Sequence, residues 1–244
     1  MGGHVDIAGH PTWVDERGSG EETVVLLHGG MSHSGLLLDA FGDLLAARYR
    51  LVAFDRRGHG RTADTDAPFH YDDMASEAIG VLETVVGGPA HLVGWSDGGI
   101  VSLLVALRRP ELVGRMVVIG TNVHHEGLLP LELDPSSPVA AQMYEEYAAV
   151  SPDGGEHFGV LLERFMVMAT TEPTMAPADL APITAPTLVL AGDDDAVRLD
   201  HTCAIYESLP AGRLAIVPGA SHAVPIEHPD VVGRLVADFL ASAD

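Results

Sequence analysis

Apolar residues in this chain fall into two rhythms that alternate along most of its length. Short unbroken runs come first: Thr23-Val24-Val25-Leu26-Leu27, Arg50-Leu51-Val52-Ala53-Phe54, Ala90-His91-Leu92-Val93-Gly94-Trp95, Arg115-Met116-Val117-Val118-Ile119, Thr187-Leu188-Val189-Leu190-Ala191 and Leu214-Ala215-Ile216-Val217. They are too short for helices, mostly β-branched or aliphatic, and lack a polar face, which predicts strands buried on both sides. Between them, apolar positions recur at helical spacing over residues 35–47, over 71–86, from the serine turn after Trp95 to Arg109-Pro110, and over 229–241. In the second of these, Tyr71, Met74, Ala75, Ala78, Ile79, Leu82, Val85 and Val86 share one helix face. Residues 4–16 alternate weakly and predict an amphipathic hairpin with Gly9-His10-Pro11 as its turn.

Strand and helix alternate through residues 23–119 and again after residue 186, which argues for a parallel sheet covered by helices. Residues 121–185 break the rhythm with two helical stretches, 137–149 and 155–170, separated by Pro and Gly and rich in Met, Leu, Phe and Tyr. The expected class is therefore α/β: a mostly parallel central sheet flanked by helices, built from 1–120 and 186–244. Residues 121–185 form a small helical cap inserted over the strand ends.

Composition narrows the function. A chain of 244 residues suits one domain with room for a large core. Its formal charge of −22 disfavours nucleic acid or an anionic membrane as partner, is compatible with cationic or neutral substrates, and reads most simply as a solubility device. All 13 basic residues are arginine, so Schiff-base and phosphate-loop chemistry that needs lysine is ruled out. Cys203 is the single cysteine, so no intrachain disulfide forms and a reducing compartment is expected. The first residues, Met1 to Asp6, lack a basic start and an apolar core, and no apolar run nears the roughly 20 residues of a membrane helix. A cytoplasmic protein is expected, with its oligomeric state left open.

In an open parallel sheet, sites form beyond the carboxyl ends of the strands. Four of the six exits carry a chemical group. His28-Gly29-Gly30-Met31 follows the first buried strand and can turn backbone N–H groups outward. Ser96, flanked by Gly94 and Gly98, follows the third, where only small residues fit two positions either side of a sharply turned serine. Gly192-Asp193-Asp194-Asp195 follows the fifth and Pro218-Gly219-Ala220-Ser221-His222 the sixth. The order is donor loop, nucleophile, carboxylate and imidazole.

These motifs, with Asp55-Arg56-Arg57-Gly58-His59-Gly60, resemble in type and order the α/β-hydrolases of the cap-bearing esterase and C–C hydrolase group. The likeness spans nearly the whole chain. It implies a serine hydrolase of small carboxylic esters working through an acyl-enzyme without cofactor or metal. Ser96 is then the nucleophile, His222 the base and Asp195 the acid, the last selected over Asp193 and Asp194 by its distance from Gly192 in the family pattern. The N–H groups of Gly30 and Asp97 form the oxyanion hole. Some relatives take the acid from the loop after the next strand, where Glu126 stands. Lactonase, C–C hydrolase and perhydrolase activities share the same residues, and ligand receptors share the fold. Dehalogenases and epoxide hydrolases require an aspartate where Ser96 is.

Met31, Trp95 and Asp97 are the candidate substrate contacts. The run Gly94-Trp95-Ser96-Asp97-Gly98-Gly99 also resembles the elbow of α-amino ester hydrolases of the valacyclovir hydrolase type. That likeness implies a substrate ammonium on Asp97; otherwise Asp97 caps the helix N-terminus. His28 and His59 read as loop holders, His228 as the entry to the last helix. Adjacent His124-His125 lack a third spaced ligand and make no metal site.

Overall fold

The structure, a computed structural model, describes residues 2–130 and 137–242. The chain opens with a hairpin, β1 (Gly2–Ile7) and β2 (His10–Arg17). Its turn is Ala8-Gly9, not Gly9-His10-Pro11. Both turn residues have positive φ (53° and 89°), which matches the twist of a two-residue hairpin, while His10 pairs with Ile7 and Pro11 with Asp6 inside the ladder. β3 (Thr23–Leu27), β4 (Arg50–Phe54), β5 (Ala90–Trp95), β6 (Val113–Ile119), β7 (Thr187–Asp194) and β8 (Gly212–Ser221) complete one eight-stranded sheet.

The strand order is β1-β2-β4-β3-β5-β6-β7-β8; β1 and β2 run antiparallel to their neighbours and the remaining pairs are parallel. The uninterrupted apolar strands follow from burial on both faces. Val25, Leu27, Val52, Phe54 and Leu92 enter one hydrophobic core. Their alternates Val24, Leu26, Leu51, Ala53 and Val93 enter the other.

Helix α1 spans residues 34–46 and α2 residues 71–86, each with one π-helical turn (Leu38–Gly42 and Leu82–Val86). Helix α3 (Asp97–Arg108) follows β5 directly. A helix at Leu199–Ser208 between β7 and β8 escaped the periodicity argument because its buried face includes His201 and Thr202 beside Ile205. The last helix, Pro229–Ala241, begins at His228 and packs Val232, Val236, Phe239 and Leu240 into the second core.

Residues 121–185 add no strand to the sheet among the described residues. They carry α4 (Pro138–Val150), whose N-terminus is capped by the Ser137 hydroxyl, and α5 (Phe158–Thr171). Tyr147, Phe158, Leu161 and Met168 join the first core, so the segment is continuous with the body beneath it. No helix among the described residues is long and apolar enough to cross a membrane.

The chain leaves β3 for β4 on one side and returns to β5 on the other. This reversal of strand order sets the carboxyl ends of β3 and β5 side by side at the point where open parallel sheets place their sites. The donor loop and Ser96 both stand there.

Candidate active site

Ser96 lies between the last residue of β5 and the first of α3, with φ 54° and ψ −118°. This strained backbone is held by hydrogen bonds from Ser96 N to Ile119 O (2.7 Å) and from Gly99 N to Ser96 O (2.9 Å). Glycine is required on both sides of the turn. A Cβ on Gly94 would fall on the backbone of Gly98, and one on Gly98 would fall on the carbonyl of Leu27 in β3. The elbow is thus a close approach of three backbone segments, and it leaves the serine side chain half-exposed.

His222 follows β8 and joins two partners. Its Nε2 is 2.9 Å from Ser96 Oγ, and its Nδ1 is 2.7 Å from Asp195 Oδ1. Asp195 is buried, and its Oδ1 also accepts the Val197 N–H at 3.0 Å. Its neighbours do other work. Asp193 accepts the N–H groups of Gly219 and Ala220, bracing the loop that carries His222, and Asp194 is exposed at the end of β7. Glu126 is largely exposed and faces His124, so the carboxylate brought to His222 is Asp195. Gly120, with φ 55°, sits over this junction. A Cβ there would press within 3.0–3.2 Å of Asp195 Oδ2 and the His222 ring, a restriction that no sequence pattern announced.

The N–H groups of Gly30 and Asp97 donate to no protein acceptor among the described residues. Asp97 is the first residue of α3, where an N–H has no intrahelical acceptor and the helix dipole favours negative charge. Gly30 is confined by Phe165 of α5 and by the Asp97 carboxylate, into both of which a Cβ would run.

The candidate substrate contacts divide. Met31 is buried with φ 54° on the donor loop. Trp95 spends its indole N–H on the His222 carbonyl at 2.9 Å, holding that residue's backbone in place. The Asp97 side chain accepts no backbone N–H of its helix among the described residues. Its Oδ1 accepts the Tyr71 hydroxyl at 2.8 Å and its Oδ2 lies 3.9 Å from the Arg56 guanidinium, both side chains being buried. Burial pushes the Asp97 carboxyl up, against the pull of Arg56 and then of the Tyr71 hydroxyl. Arg56 and Tyr71 were not singled out from the sequence; the doubled arginine in Asp55-Arg56-Arg57 was the available signal.

His28 accepts the Arg56 N–H on Nε2 (3.1 Å), so its Nδ1 carries the proton and donates to the Gly29 carbonyl (2.7 Å). Burial, then the positive charge of Arg56, holds its pKa well below the ordinary value and keeps the ring neutral. His59 is likewise buried, pushed down to about 3 by desolvation first and Arg56 second, and bonds the Arg57 carbonyl. His124 and His125 stack on one another at 4.6 Å.

Residues 24–235 match the model of the alpha/beta hydrolase family. The chain belongs to the α/β-hydrolase family. It is similar to RutD of Variovorax paradoxus, named for carbamate hydrolysis, with 30% identity covering 95% of this chain and 96% of that protein. Similarity extends to the mouse serine hydrolase BPHL, at 28% identity over 91% of this chain and 80% of the relative. The 2-hydroxy-6-oxo-6-phenylhexa-2,4-dienoate hydrolase of Burkholderia cepacia is 29% identical over 94% of this chain and 91% of its own. Among solved structures, the meta-cleavage product hydrolase CumD of Pseudomonas fluorescens superposes with TM-score 0.84 at 22% identity, over 100% of this chain and 99% of that one, a likeness of fold. The fold of this α/β-hydrolase and its standing as a hydrolase rest on these matches together.

Proposed function

We propose that this α/β-hydrolase is a serine hydrolase of small carboxylic esters acting through an acyl-enzyme. The supporting observation is the continuous Ser96–His222–Asp195 chain, 2.9 Å and 2.7 Å, beside two unspent backbone N–H groups. Ser96 Oγ attacks the acyl carbon as His222 Nε2 accepts its proton. Asp195 holds the imidazole with Nδ1 protonated and stabilises its cation. The carbonyl oxygen, now an anion, is received by the N–H groups of Gly30 and Asp97, where loss of one donor costs about 3 kcal/mol of transition-state stabilisation. His222 returns the proton to the departing alkoxide. Water, deprotonated by the same ring, then releases the acid. No step calls for a cofactor.

Residues 121–185 act as the lid of this site, with Phe165 on the oxyanion loop. The acyl group is neutral. An ammonium brought to Asp97 would also meet the Arg56 guanidinium, whose charge the carboxylate already balances in a desolvated setting. Cleavage of C–C bonds by the same residues is the second reading, favoured by the B. cepacia relative's name. Both readings are tested by a panel of p-nitrophenyl esters of increasing acyl length, an α-amino ester with its des-amino analogue, and a vinylogous diketone. All are run beside Ser96→Ala. The expected outcome is turnover of short neutral esters, equal kcat/KM for the amino and des-amino pair, and loss of activity in the variant. Full activity in Ser96→Ala would overturn the mechanism.

A further inference from the structure

The donor loop carries an arrangement that the catalytic chain itself does not explain. Arg56, directly after β4 and Asp55, is fully buried, and its guanidinium spans two successive carbonyls of the loop after β3. Nη1 donates to His28 O, and Nη2 donates to Gly29 O at 3.0 Å. The Gly29 carbonyl also accepts His28 Nδ1–H at 2.7 Å. In a trans peptide the C=O and the following N–H point in opposite directions. Fixing the Gly29 carbonyl on the buried guanidinium therefore fixes the Gly30 N–H in the opposite direction, away from Arg56. The guanidinium also lies 3.9 Å from the Asp97 carboxylate, and Asp97 supplies the second N–H. One buried cation thus hydrogen-bonds the loop that carries one donor and lies at ion-pair distance, without a hydrogen bond, from the carboxylate of the residue that supplies the other; the two donors are about 70 residues apart in sequence.

We propose that Arg56 is a positioning residue for the oxyanion donors, aiming the Gly30 N–H by gripping the Gly29 carbonyl and tying Asp97 to the same loop. The proposal rests on the serine hydrolase reading for its consequence and on the loop geometry for its cause. A planar fork suits it where an ammonium does not, because two carbonyls must be held at fixed separation by parallel donors. Asp97 keeps the cation tolerable in the interior, since an unpaired guanidinium there would be costly. His28 is the auxiliary grip, neutral and in a single tautomer.

The effect belongs to the transition state, because the donors meet full negative charge only there. Arg56→Met and Arg56→Lys are compared with the unaltered protein by steady-state kinetics on p-nitrophenyl acetate. A short alkyl trifluoromethyl ketone, which forms a tetrahedral oxyanion on Ser96, serves as inhibitor. In Arg56→Met, kcat is expected to fall by about tenfold or more, up to the roughly 10²–10³-fold seen when an oxyanion donor is removed outright, because the N–H is misaimed and not deleted. KM should stay within a few-fold, and Ki should rise by the factor that kcat/KM falls. Arg56→Lys, which keeps the charge but not the fork, should show the same parallel loss to a smaller extent. Unchanged kcat and Ki, a change confined to KM, or a fall in kcat without a matching change in Ki would each overturn the proposal.

A crystal structure of Arg56→Met reads the cause directly. A turned Gly29–Gly30 peptide is expected, and one still in place overturns the proposal. If the unaltered protein hydrolyses no ester, the serine hydrolase reading fails and this peptide alone decides the clamp. If Arg56→Met does not fold, the same kinetic and crystallographic criteria apply to Arg56→Lys.

Discussion

Ser96 occupies a backbone conformation that costs an ordinary residue about 1–3 kcal/mol, and the cost is met by the three backbone segments converging on it. The residues before and after it matter as much as the hydroxyl, because they leave no space for side chains at Gly94 and Gly98. The same logic of contact, not type, separates the three successive aspartates. Asp193 braces the His222 loop, Asp194 faces solvent, and Asp195 takes the imidazole N–H. The family pattern already pointed to Asp195 as the partner of His222; what Asp193 does was not readable, because it depends on where its side chain leaves the end of β7. Asp195→Asn is expected to lower kcat by about four orders of magnitude, the size associated with a reversed imidazole tautomer, while Glu126→Gln leaves kcat unchanged. Turnover of p-nitrophenyl acetate measures both. The opposite pattern would move the acid to Glu126.

At the scale of elements, the segment between β6 and β7 is fastened to the body by two polar clusters as well as by its apolar face. The Asp64 carboxylate, 2% exposed, accepts Arg57 Nη1 (3.0 Å), Arg164 Nη1 (2.6 Å) and His157 Nε2 (2.8 Å), the last two from α5 and the turn before it. Near the other end of α5, Glu172 accepts the Tyr71 N–H at 3.1 Å and pairs with His70 at 2.6 Å, a contact that raises the His70 pKa. Removing the buried member of the first cluster leaves its cations without their shared anion. Asp64→Ala should therefore cost about 2–3 kcal/mol, reduced from the fully buried case because the cations are partly solvated. Thermal denaturation beside the exposed Asp66→Ala checks this, and equal Tm values for the two variants would deny Asp64 that role. These clusters join residues about 90–100 positions apart. Patterning along the chain therefore located the helices but not their fastenings. The Leu199–Ser208 helix was missed for a related reason, since His201 and Thr202 fill places where an apolar stripe was sought.

For the molecule as a whole, the histidines set the response to acid. Burial first of all depresses the pKa of His28, of His59 to about 3, of His91 and of His201. A group lowered on folding contributes stability that is present above its unfolded pKa, about 6.5, and is lost as pH falls toward the folded value. His201 shows the structural cost: its Nε2 accepts the Val123 N–H at 3.1 Å, and protonation removes that acceptor. Glu77, pushed up to about 7 by desolvation, acts in the opposite sense over part of this range, because the folded protein takes up its proton first. Asp97, raised by burial, and His70, raised by its bond to Glu172, act in the same sense as Glu77; the expected net response follows the more numerous depressed histidines. Tm is expected to fall between about pH 6.5 and pH 5, and a Tm that stays level or rises across this interval would show that these rings are solvated in the native state.

What the sequence determined by itself is what neighbouring residues encode: the doubly buried strands, the main helices, the Gly94–Gly98 elbow, and the order Ser96, Asp195, His222 along the strand exits. Burial on both faces and a serine with positive φ restrict residue types within a few positions, so they leave a local trace. Tertiary structure alone decided that Asp193 braces the loop carrying His222, that Asp97 is paired with Arg56 and Tyr71, that Gly120 clears space above Asp195, and that Phe165 rests on Gly30. Those contacts form where parallel crossovers return distant segments to one sheet edge. Each is a matter of distance and direction between side chains, which spacing along the chain does not contain.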